Sequence, residues 1–100
     1  MSQEKPKEIR IEIQLDEETA QGVFANLAVV NHTDAEFVLD FIYVQPQAPR
    51  ARVRSRIITT PRHVKRLVKV LEENLARYEE RFGVVEDFEP SQAGELGEYH

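Results

Sequence analysis

The chain has 100 residues, of which 41% are hydrophobic and 31% charged, and its formal net charge is −5. This length allows one domain with a modest core, and the composition is that of a folded chain rather than a disordered one. The absence of cysteine excludes disulfides and thiolate metal sites, and no segment approaches the roughly 20 apolar residues that span a bilayer. We expect a cytoplasmic protein that does not contact membranes.

The N-terminal part of the chain predicts a first β-strand. Residues 1–7 form a polar lead-in, and the segment EIRIEIQLD follows it. Apolar and polar residues alternate strictly in this segment, which is typical of a half-buried strand. Its apolar side carries Ile9, Ile11, Ile13 and Leu15.

Three further segments alternate in the same way: VFANLAVVNH, EFVLDFIYV and RARVRSRIIT. Asn31 and Asp34 supply turn chemistry between the first two, because their short side chains bond the nearby backbone. The prolines of QPQAP end the second, since proline cannot donate to a strand ladder. The four strands together predict an antiparallel β-meander.

The alternation also predicts which residues share a face, since a slip of one residue would turn every side chain over. One face is apolar and the other is mixed, with four arginines beside Asp40. The apolar face combines Phe37, Leu39, Phe41 and Tyr43 with Ala51, Val53 and Ile57, and the mixed face combines Val38, Asp40 and Ile42 with Arg50, Arg52, Arg54 and Arg56.

A long helix is predicted over TPRHVKRLVKVLEENLARYEERFG. Thr60 is its expected N-cap, Pro61 suits the first helical position, and Gly83 suits a left-handed C-cap. We expect its apolar stripe to pack on the apolar face of the sheet, giving an α+β domain over residues 8–89 and a disordered acidic tail over 90–100. The stripe consists of Val64, Leu67, Val68, Leu71, Leu75, Tyr78 and Phe82.

Signals for catalysis are weak, and we expect no enzyme and no cofactor. The three serines lie in no nucleophile elbow, and the three histidines lie at no metal-ligand spacing. The paired acids, Glu72 with Glu73 and Glu79 with Glu80, are adjacent on a helix and point about 100° apart, whereas acid–base chemistry needs two carboxylates across a pocket. A solvated helix face explains them better.

The segment from Pro49 to Lys69 holds eight of the thirteen Lys and Arg residues and no acid. Four of them fill the first turns of the helix, where the helix dipole favours anions rather than cations. One hypothesis is a nucleic-acid surface that neutralises phosphates; the simpler alternative is ion pairing of Arg54 or Arg56 with Asp40 or Glu36. The candidate contacts are Arg50, Arg52, Arg54, Arg56, Arg62, Lys65, Arg66 and Lys69.

The mixed face of the sheet is too apolar for a free surface on so small a domain, and contiguous apolar patches mark interfaces. Arginine among apolar residues suits such an interface, so we favour a homo-oligomeric protein-binding module over the nucleic-acid alternative. A C-terminal segment such as Val84, Val85 and Phe88 could instead cover this face. The expected interface residues are Phe24, Val30, Val38, Ile42, Arg54 and Arg56.

Two stretches, GVFANLAVVNHTDAEFVLDF and the helix IITTPRHVKRLVKVLEENLARYEERFG, resemble a family of small bacterial proteins of unknown function. Members carry a similar Tyr-Ala-Asn-Leu stretch, with Phe24 here in the aromatic position, then Glu-Phe-Val-Leu-Asp-Phe and a helix rich in Leu and Glu. The resemblance implies a bacterial origin and a compact sheet-plus-helix domain, and it implies no activity. It directs attention to four polar residues in otherwise apolar strands or their turn, namely Asn26, His32, Glu36 and Asp40.

Overall fold

The computed structural model describes residues 9–47 and 49–87. The predicted lead-in, residues 1–7, and the predicted tail, residues 90–100, lie outside these ranges. The α+β class is confirmed. The elements in chain order are α1 (Glu17–Ala20), β1 (Leu27–His32), β2 (Phe37–Val44), β3 (Ala51–Thr59) and α2 (Pro61–Phe82).

The sheet has three strands in the order β1-β2-β3. Both connections are hairpins, so the strands are antiparallel, as the alternating pattern predicts. The amide of Thr33 donates to the carbonyl oxygen of Glu36 at 2.9 Å in the first, and the amide of Gln45 donates to that of Arg50 at 3.0 Å in the second. The central strand β2 is therefore paired on both edges.

The first predicted strand was wrong for the described part of the chain: residues 9–15 form no strand there. Their four apolar side chains are 68–88% exposed. Alternation alone does not make a strand, because the backbone also needs a neighbouring strand to complete its hydrogen bonds. The segment leads instead into α1, which Asp16 caps by accepting a hydrogen bond from the Thr19 amide at 3.1 Å.

The turn between β1 and β2 depends on Thr33 rather than on the two residues that the sequence favoured. The Thr33 hydroxyl accepts hydrogen bonds from the amides of Ala35 and Glu36, both at 3.1 Å. Asn31 lies inside β1. Threonine makes this kind of local turn less often than asparagine or aspartate, which is why the sequence pattern gave it less weight.

Both ends of α2 lie where the sequence predicts them. The Thr60 hydroxyl accepts a hydrogen bond from the His63 amide at 3.1 Å, and Pro61 occupies the first turn. At the other end Gly83 has a φ of 102° and donates its amide to the carbonyl of Glu79 at 2.9 Å. A positive φ is strained for residues with a Cβ, so glycine is required there.

The chain divides into two compact units. Of the residues that the structure describes, one unit combines those up to Asn31 with those of Val38–Ile58, and the other combines His32–Phe37 with those from Thr59 to Asp87. Among the described residues, the buried side chains are Leu39, Ile42 and Asp40, all on β2. No residue of α2 is buried: in the apolar stripe that predicts a packed helix, Val64 and Leu67 are half-buried and the other five side chains are exposed on the single chain.

We expect Thr60→Ala to lower the free energy of unfolding by about 1 kcal/mol, because it removes the side-chain oxygen that caps α2. Thr60→Ser keeps that oxygen and should remain close to the wild type. Urea denaturation followed by circular dichroism at 222 nm, at one fixed protein concentration, measures both. Equal losses in the two variants would contradict the role of the hydroxyl.

Candidate functional site

Asp40 and Arg56 form a two-pronged ion pair across β2 and β3. The guanidinium donates Nε–H to Oδ1 of Asp40 at 2.7 Å and Nη2–H to Oδ2 at 2.8 Å. The Asp40 side chain has no exposed surface, whereas that of Arg56 is 51% exposed. The contact predicted between Asp40 and Arg54 or Arg56 is thus confirmed for Arg56, and it places both side chains on the mixed face.

The same pair sets the protonation of both groups. The hydrogen bonds from Arg56 lower the pKa of Asp40 below its ordinary 3.8, and the guanidinium charge lowers it further, against the opposing effect of burial. The pKa of Arg56 is raised, first by its hydrogen bond to Asp40 and then by the carboxylate charge. Both residues are therefore charged at neutral pH, and the arginine keeps its charge partly in solvent.

Asn26 uses its side chain as a substitute for a peptide group. Its Oδ1 accepts the Val44 amide at 2.8 Å, and its Nδ2 donates to the Val44 carbonyl at 3.1 Å. The backbone amide of Asn26 donates to the carbonyl of Ile42 at 3.0 Å. The polar residue that the sequence singled out here bonds to the backbone at the end of β2 with both its oxygen and its nitrogen, which weighs against a role in ligand binding.

Phe24 and Val30, two of the six expected interface residues, lie on the apolar face. Phe24 meets Tyr43 edge-on, with ring centroids 5.9 Å apart, and His32 stacks on Phe37 at 5.2 Å. Val30 precedes His32 by two positions in β1, so it lies on the same face. Phe24 is 67% exposed and Val30 49%.

The other four expected interface residues lie on the mixed face. Val38 and Ile42 alternate with Asp40 along β2, and Arg54 shares a face with Arg56 on β3. Ile42 is only 3% exposed, so it belongs to the core of its own chain. The structure therefore divides the six residues between two faces instead of bringing them together on one.

The strand arginines of the predicted nucleic-acid surface line an open cavity. Its volume is about 610 Å³, and Arg50, Arg52 and Arg54 form its charged wall beside Tyr43. Arg56 is not part of this wall and is engaged by Asp40. Three of the four predicted strand arginines are thus adjacent, beside one aromatic ring.

The four helical residues of the predicted nucleic-acid surface form a separate surface on α2. Arg62, Lys65, Arg66 and Lys69 line a shallow depression of about 310 Å³ on the first turns of α2, and no acid lies in the first turn. All four are exposed. Neighbouring cations repel one another, so this arrangement costs the helix stability unless an anionic partner offsets it.

The largest apolar feature of α2 is its stripe. Leu71, Leu75 and Tyr78 are 50–59% exposed and Phe82 is 66% exposed. The rings of Tyr78 and Phe82 pack against each other with centroids 4.9 Å apart. Sequence periodicity finds these residues, but it does not show that the chain leaves them uncovered.

Metal-binding clusters and unpartnered buried side-chain atoms are not found in the described ranges. No cluster of three or more His, Cys, Asp or Glu side chains there could hold a metal ion. Every buried side-chain nitrogen and oxygen there has a hydrogen-bond partner. Among the same residues, no helix is both long enough and apolar enough to cross a membrane.

The fold and these surfaces define a small α+β chain with exposed cationic and apolar surfaces. It matches, over residues 1–87, the family described as Protein of unknown function (DUF3467). The chain belongs to that family. No curated protein and no solved structure gives a significant match.

We expect Arg56→Gln to destabilise the sheet, because it takes the guanidinium away from a buried carboxylate. The pKa of Asp40 is lowered in the folded chain, so the pair stabilises above the ordinary aspartate pKa, and this contribution is lost as the pH falls through the folded value. The urea midpoint of the variant should lie furthest below that of the wild type at pH 6, and this difference should shrink below pH 4. Urea titrations at several pH values measure it.

Arg52→Gln is the matched control, since it removes the same charge from the same face four residues earlier, at a residue outside the expected interface set. It should leave the urea midpoint and its pH dependence close to those of the wild type. An equal loss in both variants would mean that general charge, rather than the Asp40 contact, stabilises β3.

Proposed function

We propose that this chain is a non-enzymatic module that self-associates and binds other proteins. One observation carries the proposal. Eighteen large apolar side chains of the described residues are 41–88% exposed, whereas two, Leu39 and Ile42, are buried.

Surface of this kind has a physical consequence. Exposed apolar area is unfavourable in water, and contiguous patches mark sites of association. Chains that form obligate oligomers often have no stable folded monomer. We therefore propose that another chain covers the apolar stripe of α2 when the chains associate. With the family resemblance, we also propose a bacterial, cytoplasmic setting.

β3 and the end of β2 supply the polar part of the proposed contact. Arg54 is exposed and lines an open cavity together with Tyr43, although alternation places Tyr43 on the other face of the sheet. Arginine and tyrosine are both enriched in protein interfaces, because they combine apolar area with directed hydrogen bonding. The exposed guanidinium of Arg56, already oriented by Asp40, adds a second donor to this surface.

We expect the wild type to have a solution mass that is a multiple of 11.6 kDa. Arg54→Glu should shift this mass toward that of one chain, because reversing an interface charge leaves repulsion in place of attraction. Size-exclusion chromatography with light scattering, run over a dilution series, measures the mass. Circular dichroism on the same samples shows whether the fold is retained.

Arg10→Glu is the matched control for this experiment. It makes the same charge change at an exposed residue outside both the sheet and α2, and should leave the mass unchanged. A wild type that has the mass of one chain at every concentration would overturn the proposal.

Nucleic-acid binding is the second candidate, and the two groups of cations, one on β3 and one on α2, favour it. A protein that neutralises phosphates releases counterions, so its affinity falls steeply with salt. Tyr43 beside Arg50 and Arg52 also provides an aromatic ring near the charges. The net charge of −5 opposes this function, and we place it second.

If this candidate is right, duplex DNA should bind with an affinity that falls between about 50 and 200 mM salt. Replacing both Arg62 and Arg66 by Gln should reduce the slope of log affinity against log salt by about 2, because each lost phosphate contact removes roughly 0.9. Fluorescence anisotropy with labelled duplex DNA and single-stranded RNA measures the slopes.

The control replaces Arg77 and Arg81 by Gln, which removes two charges from the later part of the same helix. Its slope should equal that of the wild type. Absence of binding at the lowest salt would eliminate this candidate and leave the arginines to protein contacts.

A further inference from the structure

The α2 stripe contains a stricter pattern than general amphipathicity. Two seven-residue repeats interleave along it, at positions 64, 71, 78 and at positions 68, 75, 82. Apolar residues at spacings of four and three define the seam of a coiled coil, which is narrower than the face that a helix turns toward a sheet. The six seam residues are Val64, Val68, Leu71, Leu75, Tyr78 and Phe82.

This seam is available for contact. Val64 is half-buried, and the other five seam residues are 47–66% exposed. At a rise of 1.5 Å per residue the seam is about 27 Å long, or nearly three heptads. A helix of 22 residues with such a seam needs a second helix with the same spacing to bury it.

The sizes of the seam residues select the orientation of that second helix. They increase along α2, from valine through leucine to tyrosine and phenylalanine. A parallel pair would stack valine on valine and phenylalanine on phenylalanine, leaving a gap at one end and crowding at the other.

An antiparallel pair gives layers of even width, because it sets each small residue against a large one. In each layer the two residue numbers add to 146. The layers are Val64 with Phe82, Val68 with Tyr78, and Leu71 with Leu75, each taken from different copies.

The charges of α2 select the same orientation. From Pro61 to Val70 the helix has four cations and no acid, a charge of +4; from Leu71 to Phe82 it has four acids and two arginines, a charge of −2. An antiparallel pair places each basic half beside an acidic half. A parallel pair would place the two basic halves side by side.

Two residues that flank the seam refine this arrangement. Lys65 would lie beside Glu79 of the second copy, and the symmetry repeats that contact. Glu72 would lie near its own counterpart at the two-fold axis, where like charges repel. The two Lys65–Glu79 contacts exceed this single repulsion in number, so flanking charge still favours the antiparallel pair.

We propose that α2 pairs with α2 of a second copy as an antiparallel two-helix coiled coil, in the register that sets Val68 against Tyr78. This inference rests on the proposed self-association and adds a contact at α2 to the one proposed at Arg54. Because the contact is symmetric, the same residues supply both sides and the dimer is closed.

Disulfide formation between chains tests both orientation and register, since the protein has no cysteine of its own. Val68→Cys and Tyr78→Cys are prepared as separate proteins, mixed in equal amounts and oxidised. The expected product is the mixed dimer, identified by intact mass. Neither variant should link to itself, because its two copies of the cysteine would be about 15 Å apart along the axis.

A matched control replaces Tyr78→Cys by Arg77→Cys, which lies one residue away on the polar side of α2 and should give no mixed dimer with Val68→Cys. Val64→Cys with Phe82→Cys is a second seam pair, used if Tyr78→Cys fails to fold by circular dichroism. Light scattering on the unoxidised wild type accompanies the series.

Each outcome decides the matter. A mixed dimer without self-linked product supports the proposal. Self-linked products of the single variants would show a parallel pair and overturn it. A wild type of oligomeric mass that gives no seam disulfide would overturn the α2 pairing and leave the proposed self-association intact. A wild type with the mass of one chain would overturn both.

Discussion

A carboxylate with no exposed surface holds the middle of this sheet together. Asp40 lies on the central strand between the two buried apolar residues, Leu39 and Ile42, and Arg56 closes on it with two short hydrogen bonds. A slip of one residue between β2 and β3 would turn Arg56 to the other face and leave a buried charge without its guanidinium, which is strongly unfavourable. The ion pair therefore specifies register as well as stability.

The features that sequence predicts correctly are those that short-range chemistry determines. The ends of α2 are set by Thr60, Pro61 and Gly83, whose hydrogen-bond partners lie within four residues along the chain. The alternation in β2 and β3 likewise predicts that Asp40 lies beside an arginine. The strand expected at residues 9–15 depends on a partner elsewhere, which alternation cannot supply. The candidate site is harder to predict for the same reason. The sequence identifies the arginines and the apolar stripe, but it does not show that the expected interface residues lie on two different faces of the sheet.

The proposed dimer would offset two unfavourable features of α2 at once. Cations near a helix N-terminus oppose the helix dipole, and an exposed apolar stripe opposes hydration. An antiparallel partner offsets both, since its acidic half meets the cations while its stripe covers the other stripe. Nucleic acid would offset only the first, which is a reason to rank protein association above it.

Val44 shows how a side chain can alter what an experiment on the backbone reports. Both its amide and its carbonyl are bonded to the carboxamide of Asn26, so the backbone groups at the last position of β2 are held by an exposed side chain with its own rotamers. The hydrogen-exchange rate of the Val44 amide therefore measures how often Asn26 rotates away. A fast rate at that position would reveal a mobile side chain inside an otherwise intact sheet.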